Sequence, residues 1–99
     1  EECLQTHPAV EEAAVVAVPD DIRGEEVKAH VVLRAGQSMT PQDVVAWCAE
    51  RLADFKVPRY VEFVASLPRT GPLKIDRAAL AARPDATDCW DRLRERAAR

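Results

Sequence analysis

The chain has 99 residues, 47% of them hydrophobic, which is material for one buried core and not for two. Fourteen Lys and Arg against seventeen Asp and Glu give a net charge of -3, a poor electrostatic footprint for nucleic acid or for polyanions in general. No apolar run approaches membrane-spanning length, so no transmembrane segment is expected.

Glu1-Glu2-Cys3-Leu4 reads as the interior of a helix, with no cap, no initiator Met and no signal-like stretch, so a longer natural chain is expected upstream. That helix turns Leu4 inward and stops at His7-Pro8, because Pro disfavours helical geometry in the residue before it. Ala13 to Val18 is an unbroken, Val-rich apolar run, which predicts a strand covered on both faces and central in its sheet. Val27, Ala29, Val31 and Leu33 alternate with Lys28, His30, Val32 and Arg34. This predicts a second strand with one buried face and His30 toward solvent.

Thr40-Pro41-Gln42-Asp43 opens a helix, with Thr40 as cap, Pro41 in the first turn and Asp43 near the positive end of the dipole. Val44, Val45, Cys48, Leu52 and Phe55 follow on one apolar face, with Trp47 packing at its border. Tyr60 to Ala65 reads as a third strand and Asp76 to Ala82 as a short final helix. The fold class is α+β, a small three-stranded sheet packed with helices in two or three layers. Beyond Arg83-Pro84, residues 84–99 read as a solvated terminal helix or a frayed tail.

Cys3, Cys48 and Cys89 are too far apart to chelate and odd in number, which predicts reduced thiols and a cytoplasmic setting. Cys48, on the apolar helix face, reads as a small buried hydrophobe. Neither His7 nor His30 has a ligand-spaced neighbour, so no metal site is expected.

Three segments carry candidate chemistry. In Leu67-Pro68-Arg69-Thr70-Gly71-Pro72-Leu73-Lys74-Ile75-Asp76-Arg77, two prolines stiffen a loop around Lys74. Ile75 can anchor it in apolar surface and Asp76 can cap the following helix. A loop lysine is ordinarily solvated. One framed so closely suits a phosphate or carboxylate. Between the first two strands, Asp20-Asp21-Ile22-Arg23-Gly24-Glu25-Glu26 reads as an ordinary strand connection, although Gly24 admits close backbone approach and Arg23 offers a fork of donors matched to phosphate. In Phe55-Lys56-Val57-Pro58-Arg59-Tyr60, two cations flank a rigid Val-Pro step, a pattern that is usually just solvated.

Leu67-Pro68-Arg69-Thr70 followed by Lys74-Ile75-Asp76-Arg77 resembles the C-terminal signature of the adenylate-forming (acyl-CoA synthetase, AMP-binding) superfamily. Three more stretches agree in order and spacing: Leu4 to Val18, Pro19 to Leu33, and Leu52 to Val64. The resemblance covers residues 1 to 83 and implies the mobile C-terminal domain of an ATP-dependent carboxylate–CoA ligase. A large N-terminal adenylation domain would precede it, across a hinge. Such enzymes form an acyl-adenylate from a carboxylic acid and Mg-ATP, and the CoA thiol then displaces AMP.

The same resemblance implies that Lys74 is the adenylation lysine, acting by charge and position at the carboxylate and α-phosphate. After a domain rotation the Arg23-Gly24 loop would replace it and shape the pantetheine tunnel, while Arg59 and Lys56 would meet the nucleotide phosphates of CoA. Phe-Lys-Val-Pro-Arg is closer to acyl- or aryl-CoA synthetases than to peptide synthetase domains. One departure stands out, because the family has Gly before its catalytic lysine and this chain has Leu73. The isolated chain is expected to be inactive and to bind no cofactor by itself. An adenylation domain of another branch, aryl or peptide synthetase type, and a noncatalytic binding module with the same fold are the alternatives.

Overall fold

The computed structural model describes residues 1–20, 24–52, 56–82 and 89–93. Helix α1 (Glu2–Gln5) leads into strand β1 (Val10–Asp20), which folds back antiparallel onto β2 (Gly24–Leu33). Helix α2 (Pro41–Ala49) then carries the chain over to β3 (Tyr60–Phe63), parallel to β2. Parallel neighbours need such a crossover, since a tight turn cannot reverse the chain twice. The chain continues through the short ribbon β4 (Arg69–Gly71) and β5 (Lys74–Ile75), helix α3 (Arg77–Ala81) and strand β6 (Trp90–Asp91). The main sheet has the order β1-β2-β3-β6, and β4-β5 forms a separate two-stranded unit.

The fold is the expected α+β class, with all three expected strands present. Local chemistry accounts for the helix starts. Thr40 accepts a hydrogen bond from the Asp43 N–H at 3.1 Å, and Asp43 accepts one from the Thr40 N–H at 2.9 Å, a reciprocal capping box. The Thr40 backbone N–H, and after it the Thr40 hydroxyl, hold the Asp43 carboxyl below its usual range. Asp76 likewise caps α3, accepting from the Ala79 N–H at 3.0 Å. Trp47 packs as expected and donates its indole N–H to the Cys3 carbonyl at 2.8 Å, tying α2 to α1.

The sheet is covered on both faces. On one, Leu4 of α1 and Val44 and Cys48 of α2 pack with Ala13, Ala29, Val31 and Val61. On the other, Leu67 and Leu80 of α3 pack with Ala14, Val16, Val18, Val32 and Tyr60.

This second layer corrects two expectations. The apolar run in β1 belongs to an edge strand, not a central one, because α1 and α3 bury its two faces from outside the sheet. His30 is fully buried, not solvent-facing, since the face of β2 that carries Lys28, His30 and Val32 lies beneath that layer. Lys28 is buried as well and donates to Glu62 on the neighbouring strand at 2.8 Å. Two boundaries also differ. β3 ends at Phe63, and α2 ends at Ala49, so Leu52 is half-buried beyond it, while Phe55 lies outside the described residues.

A third difference concerns the last residues. Where a terminal helix or frayed tail was expected, Trp90–Asp91 pairs with Tyr60 and Val61 as the outer strand of the main sheet. The rest of residues 84–99, other than 89–93, lies outside the described residues.

Removing one member of a buried ion pair leaves the other charge in a poor solvent. Glu62→Ala is therefore expected to destabilise the domain by about 3 kcal/mol, whereas the paired change Lys28→Met with Glu62→Leu should cost much less. Urea unfolding of the two variants beside the parent measures the difference.

Candidate functional site

Lys74 stands on the β4-β5 hairpin. Arg69 pairs with Ile75 and Gly71 with Lys74, and the turn between them consists of Pro72 and Leu73. The base is closed by the Asp76 N–H, which donates to the Pro68 carbonyl at 2.8 Å, and by Leu67 and Ile75, which sink toward Leu80. The tip points away from this base. Lys74 is exposed and pairs with no carboxylate among the described residues, while Leu73 beside it is 94% exposed. Among the described residues only Gly24 and Gly36 have positive φ, so the hairpin follows its path without needing glycine at position 73. The Leu73 Cβ stands in solvent and does not crowd the lysine.

Two arginines brace this hairpin. Arg69 of β4 pairs with Glu12 of β1. Arg77, just past β5, grips both oxygens of Glu1, its Nε donating to Oε2 at 2.6 Å. The Arg77 guanidinium, more than any other cause, holds the Glu1 carboxyl below its usual range, and Arg77 is pushed up in return. Glu1 also accepts the Val15 N–H at 3.1 Å, so the brace ends on the main sheet. Residues 71–75 and Arg77 together line an open recess of about 310 Å³, too shallow to enclose a ligand without a second surface.

Gly24 and Arg59 gather at the opposite end of β1. Gly24 closes the β1-β2 turn opposite Asp20 with φ of 83°, which explains glycine there, and its missing Cβ faces open space. Arg23 lies outside the described residues. Arg59 is tied to the same end, donating its backbone N–H to the Val27 carbonyl at 2.9 Å. Its guanidinium is already engaged: Nε and Nη2 meet the two oxygens of Asp91 at 3.1 and 3.2 Å, and Nη1 lies 3.7 Å from Glu26. Lys56 is exposed and borders a second, larger recess shared with Val27, Pro58, Cys3, Cys48 and the α1 residues. Eight residues of extended strand separate Glu12 from Asp20, about 26 Å. The structure thus places Lys74 in one group and Gly24 and Arg59 in another, with Lys56 on a recess that also reaches Glu1 and Val15 between them.

The model for the AMP-binding enzyme C-terminal domain matches residues 1–74. The chain belongs to that family. A curated relative, the 3-[(3aS,4S,7aS)-7a-methyl-1,5-dioxo-octahydro-1H-inden-4-yl]propanoyl:CoA ligase of Rhodococcus jostii, is 48% identical over 80 residues, 81% of this chain and 16% of the relative. An acyl-CoA synthetase of Brucella canis superposes with a TM-score of 0.76 at 42% identity, over 89% of this chain and 16% of that one. The amide bond synthetase McbA of Marinactinospora thermotolerans superposes with a TM-score of 0.77 at 43% identity, over 82% and 16% respectively. The chain therefore spans about one sixth of the length of the proteins it matches. Among its described residues no helix is long and apolar enough to cross a membrane.

Sequence reading missed the acids that organise both groups: Glu1 and Glu12 for the hairpin, Glu26 and Asp91 for Arg59. The position of Arg69 and Arg77 on either side of Lys74 was the available signal, but nothing local marks their partners. In the second recess, burial pushes the Cys48 thiol up to about 11. Since the thiolate is the reactive form, native protein treated with iodoacetamide at pH 8 should be labelled at half-buried Cys3 and Cys89 well before Cys48, as peptide mass spectrometry over time would record.

Proposed function

We propose that this chain is the C-terminal domain of an ATP-dependent carboxylate–CoA ligase and that it serves two successive half-reactions with its two opposite ends. The observation that carries this reading is the separation along β1 of the Lys74 hairpin from the end that holds Gly24 and Arg59. One small rigid domain cannot present both ends to a single reaction centre at once, so a rotation between the steps follows. The curated relative and the Brucella structure, both named for CoA thioester formation, support the choice of reaction.

In the first step the lysine ammonium is offered where negative charge accumulates as a carboxylate attacks the α-phosphate of Mg-ATP. Its contribution is electrostatic and positional, because an exposed flexible cation gains strength only when a second surface excludes water around it. That surface is the large N-terminal domain. In the second step the Gly24 turn, with Arg23 beside it, lines the path of the CoA arm, and Lys56 and Arg59 lie toward its phosphates. Asp91 and Glu26 hold Arg59 in place, so a phosphate there competes with two carboxylates, and exposed Lys56 carries the larger share. Its described residues line open recesses, and by itself the chain is inactive. Its three free thiols support a reducing, cytoplasmic setting.

In the full-length enzyme, Lys74→Ala should slow adenylate formation by roughly 10²–10³-fold, about 3–4 kcal/mol. Pyrophosphate exchange measures this with a panel of aliphatic acids, benzoate and a ring-bearing propanoate. Conversion of supplied acyl-adenylate and CoA should stay near the parent rate. Equal loss in both steps would contradict the two-ended mechanism. Adenylate formed without CoA consumption would indicate transfer to an amine or a carrier instead.

Lys56→Ala should raise the apparent Michaelis constant for CoA by about tenfold, and Arg59→Ala by less, with pyrophosphate exchange unchanged. Steady-state kinetics with varied CoA, beside the exchange assay, separates uniform binding from a folding defect.

A further inference from the structure

The hairpin that carries Lys74 is small. It comprises a three-residue strand, a two-residue strand and the turn between them, in a unit separate from the main sheet. Two-stranded units of this size are marginal in water, so their own ladder does not fix where their tips point. The base is anchored by Leu67, Ile75 and the bond from Asp76 to Pro68. A base contact leaves the hairpin free to pivot. The two arginines flank that base, Arg69 opposite Ile75 and Arg77 as the first residue of α3, and orient it from different elements, Arg69 bound to Glu12 of β1 and Arg77 to Glu1 at the start of α1. Each therefore removes a different direction of swing.

We propose that the Arg69–Glu12 and Arg77–Glu1 pairs are positioning struts that set the reach and direction of Lys74, a proposal that rests on the adenylation role given to that lysine above. Arg77 is the stiffer strut, since it holds both Glu1 oxygens through two donors, and Glu1 is itself fixed by the Val15 N–H. Both pairs are partly exposed, so they add little to global stability. Their effect falls on geometry, where a displacement of about 1 Å costs roughly 10²-fold in a reaction that depends on alignment.

Four variants of the full-length enzyme test this: Arg69→Gln, Arg77→Gln, both together, and the swap of Arg77→Glu with Glu1→Arg. Amide exchange followed by NMR or mass spectrometry needs no substrate. It should show faster exchange at residues 69–76 in the Gln variants and unchanged protection in β1 and β2. With ATP and the panel acid that exchanges fastest, pyrophosphate exchange should fall about tenfold for Arg77→Gln and roughly 10²-fold for the double variant, with thioester formation from supplied acyl-adenylate unaffected. The charge swap should recover only part of the loss, because an arginine at position 1 cannot accept the Val15 N–H. Arg77→Gln added to Lys74→Ala should cost nothing further, because a strut acts only through the lysine it aims.

Unchanged amide exchange and unchanged adenylation in the double strut variant, with Lys74→Ala still slow, would overturn the struts and leave the lysine's role standing. Faster hairpin exchange together with a harmless Lys74→Ala would overturn the adenylation role instead. Additive losses in the Arg77→Gln, Lys74→Ala pair would also overturn the proposal, since Arg77 would then act on its own.

Discussion

The antiparallel pairing of β1 with β2, from Val10 opposite Leu33 to Asp20 opposite Gly24, is the measure against which everything else in this domain is placed. Its length separates the two candidate ends. Its two faces decide which helices can pack, and its side chains hold the far members of both charged groups, Glu12 at one end and Glu26 at the other. A register slip of one residue would exchange the faces and bring down the core and both sites together. The glycine at the turn, with its positive φ, is what lets so long a hairpin close without a wide loop.

The two faces are not equivalent. One is almost wholly aliphatic, built on α1 and α2. The other buries Lys28 and His30 along with its apolar residues and carries Glu62, Arg59 and Asp91 in close array. Such arrays are costly unless nearly every charge is answered, and they reward one arrangement over its neighbours more than they add to stability. Arg59, just ahead of β3, links β2 to β6 in this way: its N–H goes to Val27 of β2, its side chain to Asp91 of β6, and its carbonyl accepts the N–H of Arg92 just past β6. A residue read at first as a ligand contact thus also closes the sheet.

What was legible in the sequence was what is local. The Thr40 and Asp76 caps join residues three apart, and a pattern reader sees both ends of the bond at once. Strand periodicity placed β2, the alternation of elements gave the fold class, and the four ordered blocks gave the family. The errors share a physical origin in distance along the chain. Nothing near Val16 distinguishes burial by neighbouring strands from burial by helices laid over an edge strand. The burial of Lys28 depends on Glu62, 34 residues on, and the bracing of the Lys74 hairpin on acids 57 and 76 residues away. The departure at Leu73 looked disruptive because family glycines suggest special backbone angles. The chain at 73 has no such angle, so the side chain simply adds apolar surface at the tip.

The edge position of β1 has a consequence beyond this domain's own packing. A strand edge of eleven residues, engaged from outside at Val15 by the Glu1 carboxylate, is elsewhere along its length a template on which a foreign strand can grow. Here the register is broken between Val10 and Glu12, and Pro19 supplies no donor near the other end. Glu11 and Glu12 add negative charge beside the break. The stretch open to invasion is thereby trimmed to the residues between, and another chain would have to desolvate acids to reach it. A strand edge stays harmless only if it remains unattractive to other chains, and here that protection resides in a bulge, a proline and two glutamates.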